Sequence, residues 1–402
     1  MVKFDVEFYQ EVKTVNGTIT PIDHEQELTN QISQKGFSPV LSLQMLKTNG
    51  LTVDELDFII YAMYTEQDDR IPGFRFYSDM AKLAYKRKEA FDKRFVFSST
   101  VQHVLSSLQK NPDRRYTEHY GVAATLLLNN ELFGLTRADY SAIPSSKKSK
   151  SLDYKYTFSS TGSKFIITEA KGVSDINANI NKQAKDIIEK KNQSNYKSVT
   201  TTLFYGVIAR IPYSDQISNG ILTVVDPETP FNFSLDPLKY KVESRLNYYV
   251  SRIKRLANTS QNKKLCKLLD HSVKFIKNNW KDGYTEFERS IEIEYKIYPF
   301  NYLCTYINYE NNNIMGRLYK NELSDNEYFF YGFFESLLKK LENPTIERVI
   351  EIKYKLQRNI ELKEIELHYK YYDKKMKKEE FYANGFINIY ETGEVIGLFK
   401  KL

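Results

Sequence analysis

Glu169 and Lys171 stand two residues apart at the end of the run Lys164-Phe165-Ile166-Ile167-Thr168-Glu169-Ala170-Lys171, which Gly172 closes. Phe165, Ile166 and Ile167 are the aromatic and β-branched residues of a buried strand. Residues two apart on a strand project from one face, so the carboxylate and the ammonium are expected side by side, with small Ala170 pointing the other way. Gly172 is expected to let the chain leave the sheet. Charged groups at the end of a core strand cost free energy unless something neutralises or uses them. Carboxylate oxygens with a main-chain carbonyl make a hard site suited to Mg²⁺ or Mn²⁺. An ammonium beside them can orient a water or offset developing negative charge.

Glu-x-Lys by itself specifies little. Glu11-Val12-Lys13, Glu189-Lys190-Lys191, Glu294-Tyr295-Lys296, Glu351-Ile352-Lys353 and Glu361-Leu362-Lys363 share the spacing. Glu189 falls on a helical pattern. Glu294 is the serious rival, but Ile291, Glu292, Ile293 and Glu294 alternate, which describes a strand with one wet face. Glu169 instead follows three consecutive apolar residues and Thr168, and it precedes an amphipathic helix. That helix is expected from a Ser174 cap to about Lys191, with Ile176, Ile180, Ala184 and Ile187 on its packed face. Gln183 also lies on this helix, where a surface glutamine is the plainer reading.

Two acids lie upstream. Asp139 sits in Arg137-Ala138-Asp139-Tyr140, within an expected strand from Leu135 to Ile143. Asp153 precedes the alternating Tyr154, Tyr156 and Phe158. A tight hairpin centred near Thr161 would pair position 153 with Glu169. An Asp, then Glu-x-Lys at the end of an apolar strand, then an amphipathic helix resembles the PD-(D/E)xK nuclease superfamily, over roughly Pro112 to Pro230. The resemblance implies an αβββαβ core in the order of restriction endonucleases. It assigns Glu169, the Ala170 carbonyl and an upstream Asp to an Mg²⁺ or Mn²⁺ ion, and Lys171 to the attacking water. It prefers Asp139, because Arg137-Ala138-Asp139-Tyr140 looks like the Arg-x-Asp-aromatic form of the first motif; Asp153 is the alternative on hairpin geometry. The proline of the superfamily name is absent from both, since Ala138 and Leu152 stand before the two acids. Glu118, near the start of a helix expected from about Tyr116 to Asn129, could add an acid, or could serve only the helix dipole. The superfamily that this stretch resembles often turns a polar residue of the helix after Glu-x-Lys towards its site, which would make Gln183 the candidate.

The implied activity is metal-dependent endonucleolytic cleavage of DNA leaving 5′-phosphates, as in restriction or phage-defence enzymes. One site per chain would call for a homodimer or sequential nicks. A non-catalytic nucleic-acid-binding protein with a silent core stays open, as does a nuclease for RNA or branched DNA.

At 402 residues the chain is long for one core. The fold class expected is α/β, more fully a multidomain α+β protein. A mostly helical first domain is expected over 1–112, the nuclease-like core over 113–230 and a basic, aromatic-rich region over 231–402. Alternating Val2, Phe4, Val6 and Phe8 mark a strand, and Val53 to Ile60 reads as helical. Arg75, Lys82, Lys86, Arg87 and Lys88 read as a solvated face rather than a phosphate contact. From Lys239 to Lys281 twelve Lys and Arg face only Glu243 and Asp270, a net of +10 against +7 for the whole protein. Tyr240, Tyr248, Tyr249, Phe275 and Trp280 are interleaved. This pattern suits helices that contact a nucleic-acid backbone, with Lys254, Arg255, Lys263, Lys264, Lys274 and Lys277 as the contacts. The alternative is a bundle whose aromatics are core. Ser324 to Glu327 reads as a capping box before a helix to about Leu341, and Ile387 to Phe399 as a closing hairpin. No apolar run is long enough for a membrane span, no signal-peptide core opens the chain, and Cys266 and Cys304 lack metal spacing. A cytoplasmic, reducing compartment is expected.

Overall fold

The computed structural model describes residues 2–15, 18–34, 36–37, 39, 42–54, 57–58, 61–62, 95–97, 105–107, 114–142, 154–158, 164–193, 202–213, 218–226, 236–256, 260–279, 305–320, 324, 326–342, 344–371 and 377–402. They form two compact units, one drawn from within 1–135 and from Asp139–Leu238, the other from Thr136–Ala138 and Lys239–Leu402. The protein mixes helices and strands in an α+β arrangement. No helix among the described residues is long and apolar enough to cross a membrane.

The first unit is built on a seven-stranded sheet. Its strands are β1 (Val2–Phe8), β4 (Leu51–Val53), β7 (Tyr140–Ala142), β8 (Tyr154–Phe158), β9 (Lys164–Ser174), β10 (Thr202–Ile211) and β11 (Gly220–Val225), in the order β4-β1-β11-β10-β9-β8-β7. Among the described residues from Arg114 to Ile211, and apart from a 3-10 turn at Arg137–Asp139, the order is helix, strand, strand, strand, helix, strand: α3 (Arg114–Phe133), β7, β8, β9, α4 (Asn181–Gln193), β10. β7, β8 and β9 pair antiparallel, whereas β9 and β10 are parallel, with α4 as the crossover that a parallel pair requires. Both faces of β9 and β10 are covered. Phe165 to Thr168 and Leu203 to Ala209 are therefore buried without a break.

Several expectations are corrected. The described part of 1–112 is not a mostly helical domain of its own. It holds α1 (His24–Gln34) and α2 (Leu43–Asn49), but also β1, β4 and the hairpins β2 (Gln10–Val15) with β3 (Thr18–Asp23) and β5 (Phe95–Phe97) with β6 (Leu105–Ser107). The alternation at Val2, Phe4, Val6 and Phe8 does make a strand, which pairs parallel to β11 more than 200 residues later. Part of the helix expected over Val53–Ile60 is strand instead, Val53 being the last residue of β4. Arg75, Lys82, Lys86, Arg87 and Lys88 lie outside the described residues.

Leu135 to Ile143 is not one strand. Gly134, at φ 63°, ends α3 by donating to the Asn130 carbonyl, Arg137–Asp139 form a 3-10 turn, and only Tyr140–Ala142 extend. Ser174 does not cap α4. It is the last residue of β9, paired with Ile211, and the Asn179 side chain instead accepts from the Asn181 N–H at the helix start.

The second unit carries α5 (Pro237–Leu256), α6 (Ser260–Asn279) and a six-stranded antiparallel sheet. Its strands are β12 (Thr305–Tyr309), β13 (Asn312–Lys320), β14 (Glu327–Phe334), β15 (Gln357–Tyr371), β16 (Lys377–Ile389) and β17 (Glu394–Lys401), ordered β12-β13-β14-β17-β16-β15. The sheet curls until its edges meet, and the Tyr309 hydroxyl of β12 bonds Gln357 of β15 at 3.1 Å. The closing hairpin is present as β16 and β17, paired through Ile389 and Val395. The capping-box expectation fails: Glu327 opens β14, whose Tyr328 to Phe334 are all buried, and helix α7 spans only Glu335–Glu342. A short helix, α8 (Ile346–Ile350), follows a Thr345 cap.

Candidate functional site

α3 lies hard against β9. Gly172 does not release the chain from the sheet; it pairs with Ala209 inside β9 and leaves room for the helix. A Cβ on Gly172 would come within 1.6 Å of the Thr117 carbonyl oxygen, and one on Gly121 within 2.6 Å of the Lys171 carbonyl oxygen. Ile166 and Ala170 of β9 belong to the core shared with α3, which includes Tyr120, Ala124 and Leu128. The strand period of two therefore turns Glu169, Lys171 and Val173 to the opposite face. There Ile180, just before α4, and Ala184 and Ile187 of α4 pack with Ile208 and Val225.

On that face Glu169 is fully buried. Its Oε1 accepts from the Lys171 ammonium at 2.6 Å and also from the ammonium of Lys190 on α4. Its Oε2 is buried with no hydrogen-bond partner. Gly206 stands beside Glu169 on β10, and a Cβ there would meet Ile187 Cγ2 at 2.6 Å, so α4 closes directly over the carboxylate. Gln183, Ile187 and Lys190 fall at i, i+4 and i+7 and share the inward face of α4. Gln183 Oε1 is buried there without a hydrogen-bond partner.

Lys190 is the residue that sequence reasoning missed. Its signal was its phase: the apolar stripe Ile180, Ala184, Ile187 continues at position 190, where a lysine interrupts it.

The upstream acids separate. Each described pair from Phe158 with Lys164 to Tyr154 with Thr168 fits a hairpin centred on Thr161. Asp153, which the hairpin expectation set opposite Glu169, lies outside the described residues. Tyr140, next to Asp139, is in the row of Tyr156 and Ile166. That row is three positions from Glu169, about 10 Å along the strand, so the register does not bring Asp139 beside Glu169. Asp139 is buried in its 3-10 turn. Its neighbour Arg137 belongs to the second unit, where it donates to Glu394 Oε2 at 2.9 Å and lies over the Tyr390 ring. Glu118 is exposed on α3.

The basic helices differ from expectation in part. Tyr248 and Tyr249 are buried core residues, with rings edge to face at 5.4 Å. Lys241, Arg245 and Arg252 are buried too. Arg245 donates to the carbonyls of Val349, Ile350 and Ile352 at the end of α8, at 2.7–3.0 Å. Arg252 lies over the Tyr248 ring and 3.8 Å from Glu394. Lys267, Lys274 and Lys277 are exposed on α6, and Lys277 pairs with Glu243 at 3.3 Å. Lys254, Arg255, Lys263 and Lys264 fall on α5 and α6, but their side chains lie outside the description, as do Trp280 and Glu294 altogether.

Among the described residues no group of three or more His, Cys, Asp or Glu is placed to hold a metal ion. The oxygen that fits a hard cation is Glu169 Oε2, buried and without a hydrogen bond. Compared with known proteins, the chain matches no family model, no curated protein and no solved structure.

Proposed function

We propose that the chain is a metal-dependent endonuclease that hydrolyses phosphodiester bonds in DNA. The observation that carries this reading is Glu169, a fully buried carboxylate inside a core strand, with Lys171 at 2.6 Å on the same face and Oε2 left without a hydrogen bond. Burying such a group is costly unless it is paired or used, and pairing accounts only for Oε1. The helix-strand-strand-strand-helix-strand order around it, with β9 parallel to β10, supports the same reading.

Glu169 Oε2 and the Ala170 carbonyl would hold Mg²⁺ or Mn²⁺, with Asp153 as the further acid that the sequence offers. The cation would supply Lewis-acid charge to the phosphoryl group. Lys171 orients the attacking water and offsets charge on the phosphate. A restriction or phage-defence role rests on the family resemblance alone.

The second reading is a nucleic-acid-binding protein with a silent core. It is favoured by one feature: Glu169 is already neutralised by two lysines. Plasmid cleavage with Mg²⁺, with EDTA and by Lys171→Ala separates the two. Cleavage only with metal, reduced about 10²- to 10³-fold in Lys171→Ala, supports the nuclease. Binding without cleavage under any metal condition would leave the silent-core reading.

A further inference from the structure

Oε1 of Glu169 receives two ammonium groups from two different elements, Lys171 of β9 and Lys190 of α4. Exposure is divided in a telling way. The carboxylate has none, while the lysine side chains keep 26% and 21%. Whatever approaches from solvent therefore meets cations first. Lys190 also sits where the apolar stripe of α4 would otherwise continue. That position costs packing, and a function would offset it.

We propose that Lys190 clamps a phosphate of the nucleic acid and is held on Glu169 Oε1, beside Lys171, until substrate arrives. The clamp rests on the nucleic-acid reading above and names how the same site holds its substrate. A non-bridging phosphate oxygen takes the place of Glu169 Oε1 as the acceptor for the Lys190 ammonium, and Glu169 keeps Lys171. The exchange needs no metal. It makes Glu169 a competitor of the phosphate in the metal-free protein, which gives the two partners opposite signs.

The test is binding of a short labelled duplex oligonucleotide in EDTA, measured across a salt series. Lys190→Ala is expected to weaken binding about five- to tenfold and to reduce the slope of log Kd against log salt by about 0.9, one phosphate contact. Lys190→Arg is expected to restore both. Glu169→Gln, which removes the competitor, is expected to tighten metal-free binding. Unfolding midpoints of all variants are recorded alongside. Wild-type affinity and slope in Lys190→Ala, or weaker binding in a folded Glu169→Gln, would overturn the clamp. The failure is distinguishable from that of the nuclease reading. If the wild type never cuts with Mg²⁺ but Lys190→Ala loses affinity and slope, the clamp stands without the nuclease. If the wild type cuts and Lys190→Ala binds normally, the nuclease stands without the clamp.

Discussion

The Thr117 carbonyl oxygen occupies the space where a side chain on Gly172 would begin, 1.6 Å from the position of a Cβ there. The obstacle is helix backbone, which cannot rotate away. Gly172→Ala must therefore lift α3 from β9 and disturb the strand that carries Glu169 and Lys171. The expected cost is about 3 kcal/mol or more, above the usual range for an added methyl group. Denaturant unfolding measures it, and an unchanged midpoint would show that α3 lies farther from the strand.

The two upstream acids are expected to respond differently to substitution. Asp153→Asn is expected to abolish Mg²⁺-dependent cleavage while the unfolding midpoint stays at the wild-type value. Asp139→Asn is expected to act on stability instead, since the group is buried in a 3-10 turn. The expected loss is about 1–3 kcal/mol, with cleavage per folded molecule retained. Loss of cleavage in a fully stable Asp139→Asn would overturn the assignment.

What the sequence disclosed depended on range. Glu169 and Lys171 were legible because the strand period and the apolar run are local, and the centre at Thr161 set the hairpin register. The membership of β1 in the central sheet was not legible, because its partner β11 is a parallel strand far along the chain. Gly172 was read as an exit because only α3, packed from fifty residues upstream, shows why a side chain is forbidden there. Glu327 looked like the end of a capping box, but burial of Tyr328 to Phe334 in a sheet outweighed that local preference. The basic helices misled in the same way. A lysine or arginine reads as solvated until its partner is known, and the partners of Arg245 and Arg252 lie about a hundred residues or more away.

Glu394 makes the second unit sensitive to acid. Burial pushes its carboxyl upward, but Arg137, Arg252 and the hydroxyls of Tyr248 and Tyr331 outweigh this and hold it below its ordinary value of 4.5. A carboxyl depressed in the folded state contributes stability that is complete above the unfolded value and is lost as pH falls through the folded one. Unfolding free energy is therefore expected to decline as pH drops below about 4.5, and Glu394→Gln is expected to flatten that decline. Removing one partner of this buried network, as in Arg137→Met, is expected to cost about 3–5 kcal/mol at neutral pH. A pH profile of unfolding for the three proteins checks both, and parallel profiles for wild type and Glu394→Gln would refute the assignment.

Exposed and buried cations of the basic helices should respond differently to substitution. Lys274 and Lys277 are exposed on α6, and Lys277 is partly offset by Glu243. If this face meets nucleic acid, Lys274→Ala and Lys277→Ala each reduce the log Kd against log salt slope by about 0.9 and leave the unfolding midpoint in place. Arg245 ties α5 to the end of α8 through three carbonyls. Arg245→Ala leaves those carbonyls without their donor and is expected to destabilise by about 1–3 kcal/mol, with no change in salt slope for the protein that remains folded. Loss of salt dependence in Arg245→Ala, with none in the two lysine variants, would mean that the binding surface lies on the other side of α5.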